Sequence, residues 1–157
     1  MKKLPFIWAF TASLLFSNAG HANSDQHHSE PIIDNAWIRE APPVVKVLAG
    51  FMSISNPADK TVVLTSAESP LFEKIELHRS ILENGMARME RQKQVEIPAG
   101  GKLELSPGGL HLMLVNPKQP LKAGDTVEII VKFEQRKSSP VVFTVRSADN
   151  VEHHHHH

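Results

Sequence analysis

The sequence predicts an all-β fold, a sandwich or barrel of about eight to nine strands. Three observations predict it. Val, Ile, Thr and Phe dominate a series of short runs, as strands prefer. Pro, Gly, Asn and Asp break those runs at frequent intervals. No window holds a 3.6-residue apolar period over three turns.

Of the 157 residues, the two ends are set apart from the fold. Residues 1–22 read as a secretory signal, with Lys2 and Lys3 as the charged start and "LPFIWAFTASLLF" as the apolar run. "AGHA" closes it with small residues at Gly20 and Ala22. The run is too short for a membrane span. At the other end, residues 151–157 read as cloning residues (Val151, Glu152) and a His tag (His153–His157). Export is expected to place the mature protein outside the cytoplasm, in a bacterial periplasm or outside the cell, with the periplasm preferred. Residues 23–34 are expected to form a flexible, polar N-terminus. Residues 35–148 then make one domain, long enough for a hydrophobic core.

Within it the runs are, in order, "AWIRE", "VLAGFMSISN", "TVVLTSA", "EKIELHRS", "MARMERQKQVEI", "KLELS", "LHLMLV", "DTVEIIVKFEQ" and "PVVFTVRS". "ENG", Glu83–Gly85, fits a hairpin loop with Gly85 at positive φ. "SPGG", Ser106–Gly109, looks like a second such turn and feeds the strand "LHLMLV".

Composition narrows the chemistry. The chain carries 17 basic and 17 acidic residues, without a basic stripe or aromatic platform, which disfavours a nucleic-acid partner. It has no cysteine, although an oxidising compartment favours disulfides. Stability must come from packing, and any soft-metal chemistry must use methionine.

Strand parity then singles out a few side chains. In "LHLMLV", Leu110, Leu112 and Leu114 share the face expected to be buried, leaving His111, Met113 and Val115 on the other. In "EKIELHRS", Ile75 and Leu77 share one face, Glu76 and His78 the other. Outside the signal and tag the histidines are His27, His28, His78 and His111, and the methionines are Met52, Met86, Met89 and Met113. Met52 reads as core. Met86 and Met89 are three apart on a strand, so they face opposite ways and one of them at most joins a shared site. A set drawn from His78, Met89 or Met86, His111 and Met113 is neutral and soft. It suits Cu(I), with imidazole suiting either copper oxidation state. Hard cations want oxygen, and structural zinc wants thiolate or more imidazole. Against this stands the ordinary reading, in which a strand methionine packs and a strand histidine is a surface residue. Parity alone favours that reading about two to one.

The spacing of the four, H-x10-M-x21-H-x-M, resembles that of the periplasmic copper chaperone family PCuAC. "AWIREAPP" followed by "GFMSISN", then "IPAGGKLELSPGGLHLMLV" and "PLKAGDTVEIIVKFE", are similar to segments of the same family, and the resemblance spans roughly residues 35–146. It implies a cupredoxin-like Greek-key β-sandwich or barrel. It also implies Cu(I) ligation by His78, Met89, His111 and Met113, and delivery towards the CuA centre of cytochrome c oxidase. The partner would be a copper-accepting protein such as cytochrome c oxidase subunit II or another copper chaperone, and the chain itself a monomer. Met86 falls outside the spacing. His27 and His28 read as a solvated segment rather than as an auxiliary Cu(II) site.

Other classes fit less well. A blue-copper electron carrier needs a cysteine thiolate. A thiol-redox enzyme needs cysteines too, and a saturated Met/His site leaves little room for substrate, so no enzyme is expected. No hydrolytic nucleophile stands in a recognisable setting. Copper storage or resistance, and a metal-free interaction sandwich, are the alternatives.

Overall fold

The computed structural model describes residues 29–147. The signal segment, His27, His28 and the tag lie outside the described residues. Ten strands and no helix make up the described chain: β1 (Ile32–Arg39), β2 (Val47–Ser55), β3 (Val62–Glu68), β4 (Phe72–Glu83), β5 (Met86–Arg91), β6 (Val95–Ile97), β7 (Lys102–Leu105), β8 (Leu110–Pro117), β9 (Thr126–Phe133) and β10 (Ser139–Arg146). They are hydrogen-bonded in the order β5-β4-β8-β2-β1-β10-β9-β3-β6, with β7 also on β2. The β1–β10 pair is parallel; the other pairs are antiparallel.

The all-β expectation holds, with ten strands rather than eight or nine. The difference lies in "MARMERQKQVEI", which reads as one run but folds as β5 and β6. The Gln92 N–H turns to the Leu77 carbonyl at 2.8 Å, and the chain then leaves β4 to pair β6 with β3. No Gly or Pro marks that break. At the N-terminal side, β1 starts at Ile32, upstream of residue 35 where the sequence places the start of the domain.

Alternation explains why the sheet closes on itself. Leu77 on β4, Leu110, Leu112 and Leu114 on β8, and Met52 and Ile54 on β2 share one cluster with Leu64 on β3, Ile129 and Val131 on β9 and Phe143 on β10. These strands are far apart in the pairing order, so the sheet folds over and its inner faces meet. β3 and β4 come into contact there without pairing. Leu114 is fully buried and Leu112 nearly so, and truncating a leucine in such a setting costs about 2–5 kcal/mol. Met52 is core, as expected. The alternate residues of these strands lie on the outer face, where Trp37 on β1 and Phe51 on β2 are nevertheless buried.

Two turns place the strands that matter for function. β4 and β5 are joined through Glu83↔Met86 by the two residues Asn84 (φ 52°) and Gly85 (φ 77°). Both central residues at positive φ is the type I′ geometry that matches strand twist. The turn fixes which face each β5 side chain takes, because a one-residue slip would turn them all over. "SPGG" does something different from the expected hairpin. β7 pairs with Met52–Ser55 and β8 with Val47–Gly50 of the same strand β2, both antiparallel. Ser106–Gly109 is therefore an excursion within one run along β2, closed by Ser106 N–H to the Leu110 carbonyl at 2.8 Å and Gly109 N–H to the Ser106 carbonyl at 3.0 Å. Gly108 takes φ 79°. A glycine-rich turn looks the same in sequence in either role.

An added Cβ at Gly85 meets nothing within 4 Å, so Gly85→Ala tests the backbone requirement alone. We expect a loss of about 1–2 kcal/mol in the hairpin and faster amide exchange across Met86–Arg91, with β9 unaffected. Unchanged exchange in β5 would show that the turn does not set this strand.

Candidate metal centre

On the outer face, β4 and β8 pair with His78 directly opposite His111 and Glu76 directly opposite Met113. Directly paired residues point to the same side of a sheet, so these four side chains stand together. The two imidazole rings are 6.1 Å apart between centroids and tilted by 40°. Two imidazoles bound to one ion at about 2 Å per nitrogen hold their ring centres at roughly this separation. On the other side of β4, β5 sets Met89 opposite Ser80 and Arg91 opposite His78. Met89 thus joins the same face, diagonal to His78, on the opposite side of the histidine pair from Met113. Met86 pairs with Glu83 and so faces the other way. Of the two methionines that strand parity alone left open, Met89 is the one that shares the face of the histidines.

The four differ in exposure. His111 is buried at 6% exposure although it sits on the outer face. His78 is 12% exposed and Met113 half-buried. Met89, on the edge strand, is 62% exposed. The structure gathers the histidines with Met113 beside them, and leaves Met89 exposed on the neighbouring edge strand.

Each imidazole is oriented by a specific acceptor. His111 Nδ1 lies 3.1 Å from the Gly109 carbonyl. A carbonyl only accepts, so Nδ1 carries the proton and, in the neutral ring, Nε2 keeps the lone pair. The same carbonyl accepts the Ser80 N–H at 3.1 Å, tying the Ser106–Gly109 excursion to β4. His78 Nε2 donates to Glu76 Oε2 at 3.2 Å, which leaves Nδ1 as the lone-pair nitrogen. That Nδ1 is buried and has no hydrogen-bond partner. An orphaned buried acceptor costs about 1–3 kcal/mol. The pattern of one nitrogen held by a carbonyl or carboxylate and the other open is that of metal-binding histidines.

Glu76 is the hub of this support, 12% exposed, with Lys74 Nζ at 3.3 Å and Arg91 Nε at 3.6 Å from its second oxygen. The His78 hydrogen bond, followed by Lys74 and Arg91, holds its carboxyl below the ordinary value of 4.5, against the opposing effect of burial. The sequence showed that Glu76 and His78 share a face but gave Glu76 no role. The Gly109 carbonyl has no side-chain signal at all. Among the described residues no group of three His, Cys, Asp or Glu could hold a metal; the further soft donor beside the two imidazoles is the Met113 thioether.

Residues 32–145 match the family profile described as "Putative lipoprotein LpqE-like". The chain belongs to the LpqE-like family. It is 32% identical over 115 residues to "Putative lipoprotein Lxx21020" of Leifsonia xyli subsp. xyli, covering 73% of this chain and 68% of that protein. Among solved structures it is similar to CuI-DR1885 from Deinococcus radiodurans, with a TM-score of 0.61 and 30% identity over 78% of this chain and 85% of that one. The copper-bound PCuAC domain from PmoF2 superimposes with a TM-score of 0.64 at 20% identity, over 74% and 92% of the two chains. The likeness to PCuAC read from the sequence is thus borne out, and the fold is the cupredoxin-like sandwich it implied.

Because the Glu76 carboxyl is held low in the folded chain, its ionised form stabilises the fold. That contribution is complete above the ordinary carboxylate range and is lost as pH falls below about 4.5 through the depressed value. Glu76→Gln should therefore lower stability to urea at pH 7, and the gap to the parent chain should narrow progressively as pH falls below about 4.5. A gap independent of pH would mean that Glu76 contributes by packing rather than by charge.

Proposed function

We propose that this protein is a copper carrier that holds Cu(I) through His78, Met89, His111 and Met113. The observation that carries the reading is the histidine pair. Two imidazoles stand directly opposite across the β4–β8 pair with ring centres 6.1 Å apart, each with one nitrogen committed to an orienting acceptor and the other open. Two thioethers stand on the same face. Thioether and imidazole together select a soft monovalent ion, while the single nearby carboxylate is engaged with Lys74, Arg91 and His78. The 30% identity to a protein solved in a Cu(I) form supports the same ion here.

Four neutral donors leave the bound ion with its single positive charge. Methionine needs no deprotonation, so ligands can exchange one at a time. An exposed Met89 on an edge strand suits it to be the first ligand released to an acceptor. This is a site for handing over cargo rather than for turnover. On this reading residues 1–22 are removed on export to the periplasm, the strands from β1 at Ile32 to β10 at Arg146 are the copper-binding domain and residues 151–157 are not native. The acceptor implied by the family likeness is the CuA centre of cytochrome c oxidase, reached directly or through another copper chaperone.

The test is competition for Cu(I) against a chromogenic chelator, using tag-free protein. Met113→Leu keeps the volume of the side chain and removes the sulfur. It should weaken Cu(I) binding at least tenfold, about 1.4 kcal/mol, with thermal stability unchanged. An affinity equal to that of the parent chain would remove Met113 from the site.

A further inference from the structure

The outer face that carries the histidines continues across β2, β1 and β10. Met113 pairs with Ala49 and Leu112 with Gly50 on β2. Gly50 pairs with Ile38 and Phe51 with Trp37 on β1, and Arg39 pairs with Arg146 on β10. Extending the β1–β2 register by one residue sets Arg39 beside Ala49. Met113, Ala49, Arg39 and Arg146 thus form one row across four strands. At about 4.8 Å per strand, Arg39 lies roughly 10 Å from Met113.

Two arginines directly opposite on neighbouring strands repel each other. Here each is laid on an aromatic ring. The Arg39 guanidinium is 5.9 Å from the centre of the Phe51 ring and that of Arg146 is 5.4 Å from Trp37, with the two rings 4.5 Å apart. Arg39 Nε is sealed against the protein without a partner, and Arg146 donates to the Asn35 side-chain oxygen at 2.9 Å. Neither arginine forms an ion pair among the described residues. Carboxylates around this row have other partners: Glu40 accepts the Ala123 N–H, Asp125, beside Val145, accepts the Lys122 N–H, and Glu76 serves His78, Lys74 and Arg91. Beside the row, Val47 is 44% exposed and pairs with Val115 on the same face, which extends an apolar margin from Met113.

We infer that this strip is the docking surface for an acidic segment of the protein that exchanges copper with the site, a carboxylate of that segment seated across Arg39 and Arg146. The inference rests on the copper-carrier reading. Paired guanidinium forks match a carboxylate in two places at once. Their charge speeds encounter and fixes the approach, which brings the partner's own ligands over Met113. A free anion would use the arginines alone; a protein segment also covers Ala49 and Val47.

The probe is an octapeptide containing four Asp, compared with its four-Ser analogue. Each is titrated into metal-free, tag-free protein. The readout is the emission of Trp37, the one tryptophan outside residues 1–22. The Asp peptide should bind at least tenfold more tightly than the Ser peptide, and added salt should remove the difference. Arg146→Gln should abolish the preference, Arg39→Lys with Arg146→Lys should retain part of it, and Lys137→Gln in the β9–β10 turn should leave it intact. Cu(I) affinity should be unchanged in Arg146→Gln. Equal binding of the two peptides, an equal loss in Lys137→Gln, or saturation by sodium acetate at the same carboxylate concentration would overturn the docking surface. A parent chain that keeps the Asp preference but takes up no Cu(I) would instead overturn the copper reading and leave the docking surface standing.

Discussion

The register between β4 and β8 is the constraint on which the site depends. With Leu77 opposite Leu112 on the inner face, His78 must stand opposite His111 on the outer one. Burial of the leucines, each worth about 1.5–3 kcal/mol, therefore also enforces the meeting of the imidazoles. A shift by one residue would bring leucines to the outside and histidines into the core, a change too costly to be populated. The donors need no local sequence motif to find each other, because the hydrophobic core aligns them.

Around that register the chain builds two layers of support. The Ser106–Gly109 excursion hangs a carbonyl over His111 and ties it to the backbone of Ser80. Glu76 holds His78 from the next position on its own face. The rigid and loose parts are divided accordingly. The histidines are covered and oriented, Met113 is half-covered, and Met89 is carried on an edge strand paired only with β4. Such a gradient suits the proposed carrier: covered, oriented imidazoles on one side and an exposed thioether on the other. The arginine strip lies across β8 from Met89, so a partner seated there approaches from the Met113 side.

Much of this was legible in the sequence, and the reasons are local. Alternation in "LHLMLV" and "EKIELHRS" placed both histidines on the outer face before any pairing was known, and the Asn84–Gly85 turn was readable because only a few residues accept positive φ. What escaped depended on distant partners. The division of β5 from β6 follows from which strands they meet, and no residue type announces it. The burial of His111 on an outer face comes from neighbours outside its own strand. The Arg39–Arg146 pair joins the first strand to the last in parallel, a meeting that no local pattern encodes. The spacing already singled out Met89, but which face each of Met86 and Met89 takes followed only from the turn register.

The most direct test of the central claim is to follow the imidazole nitrogens and methionine methyl groups by NMR as one equivalent of Cu(I) is added to tag-free protein. His78, His111, Met89 and Met113 should shift together and saturate at a single equivalent, with Met52 and Met86 unmoved. Histidines that respond at different copper ratios, or a pair of methionines indifferent to the ion, would contradict it.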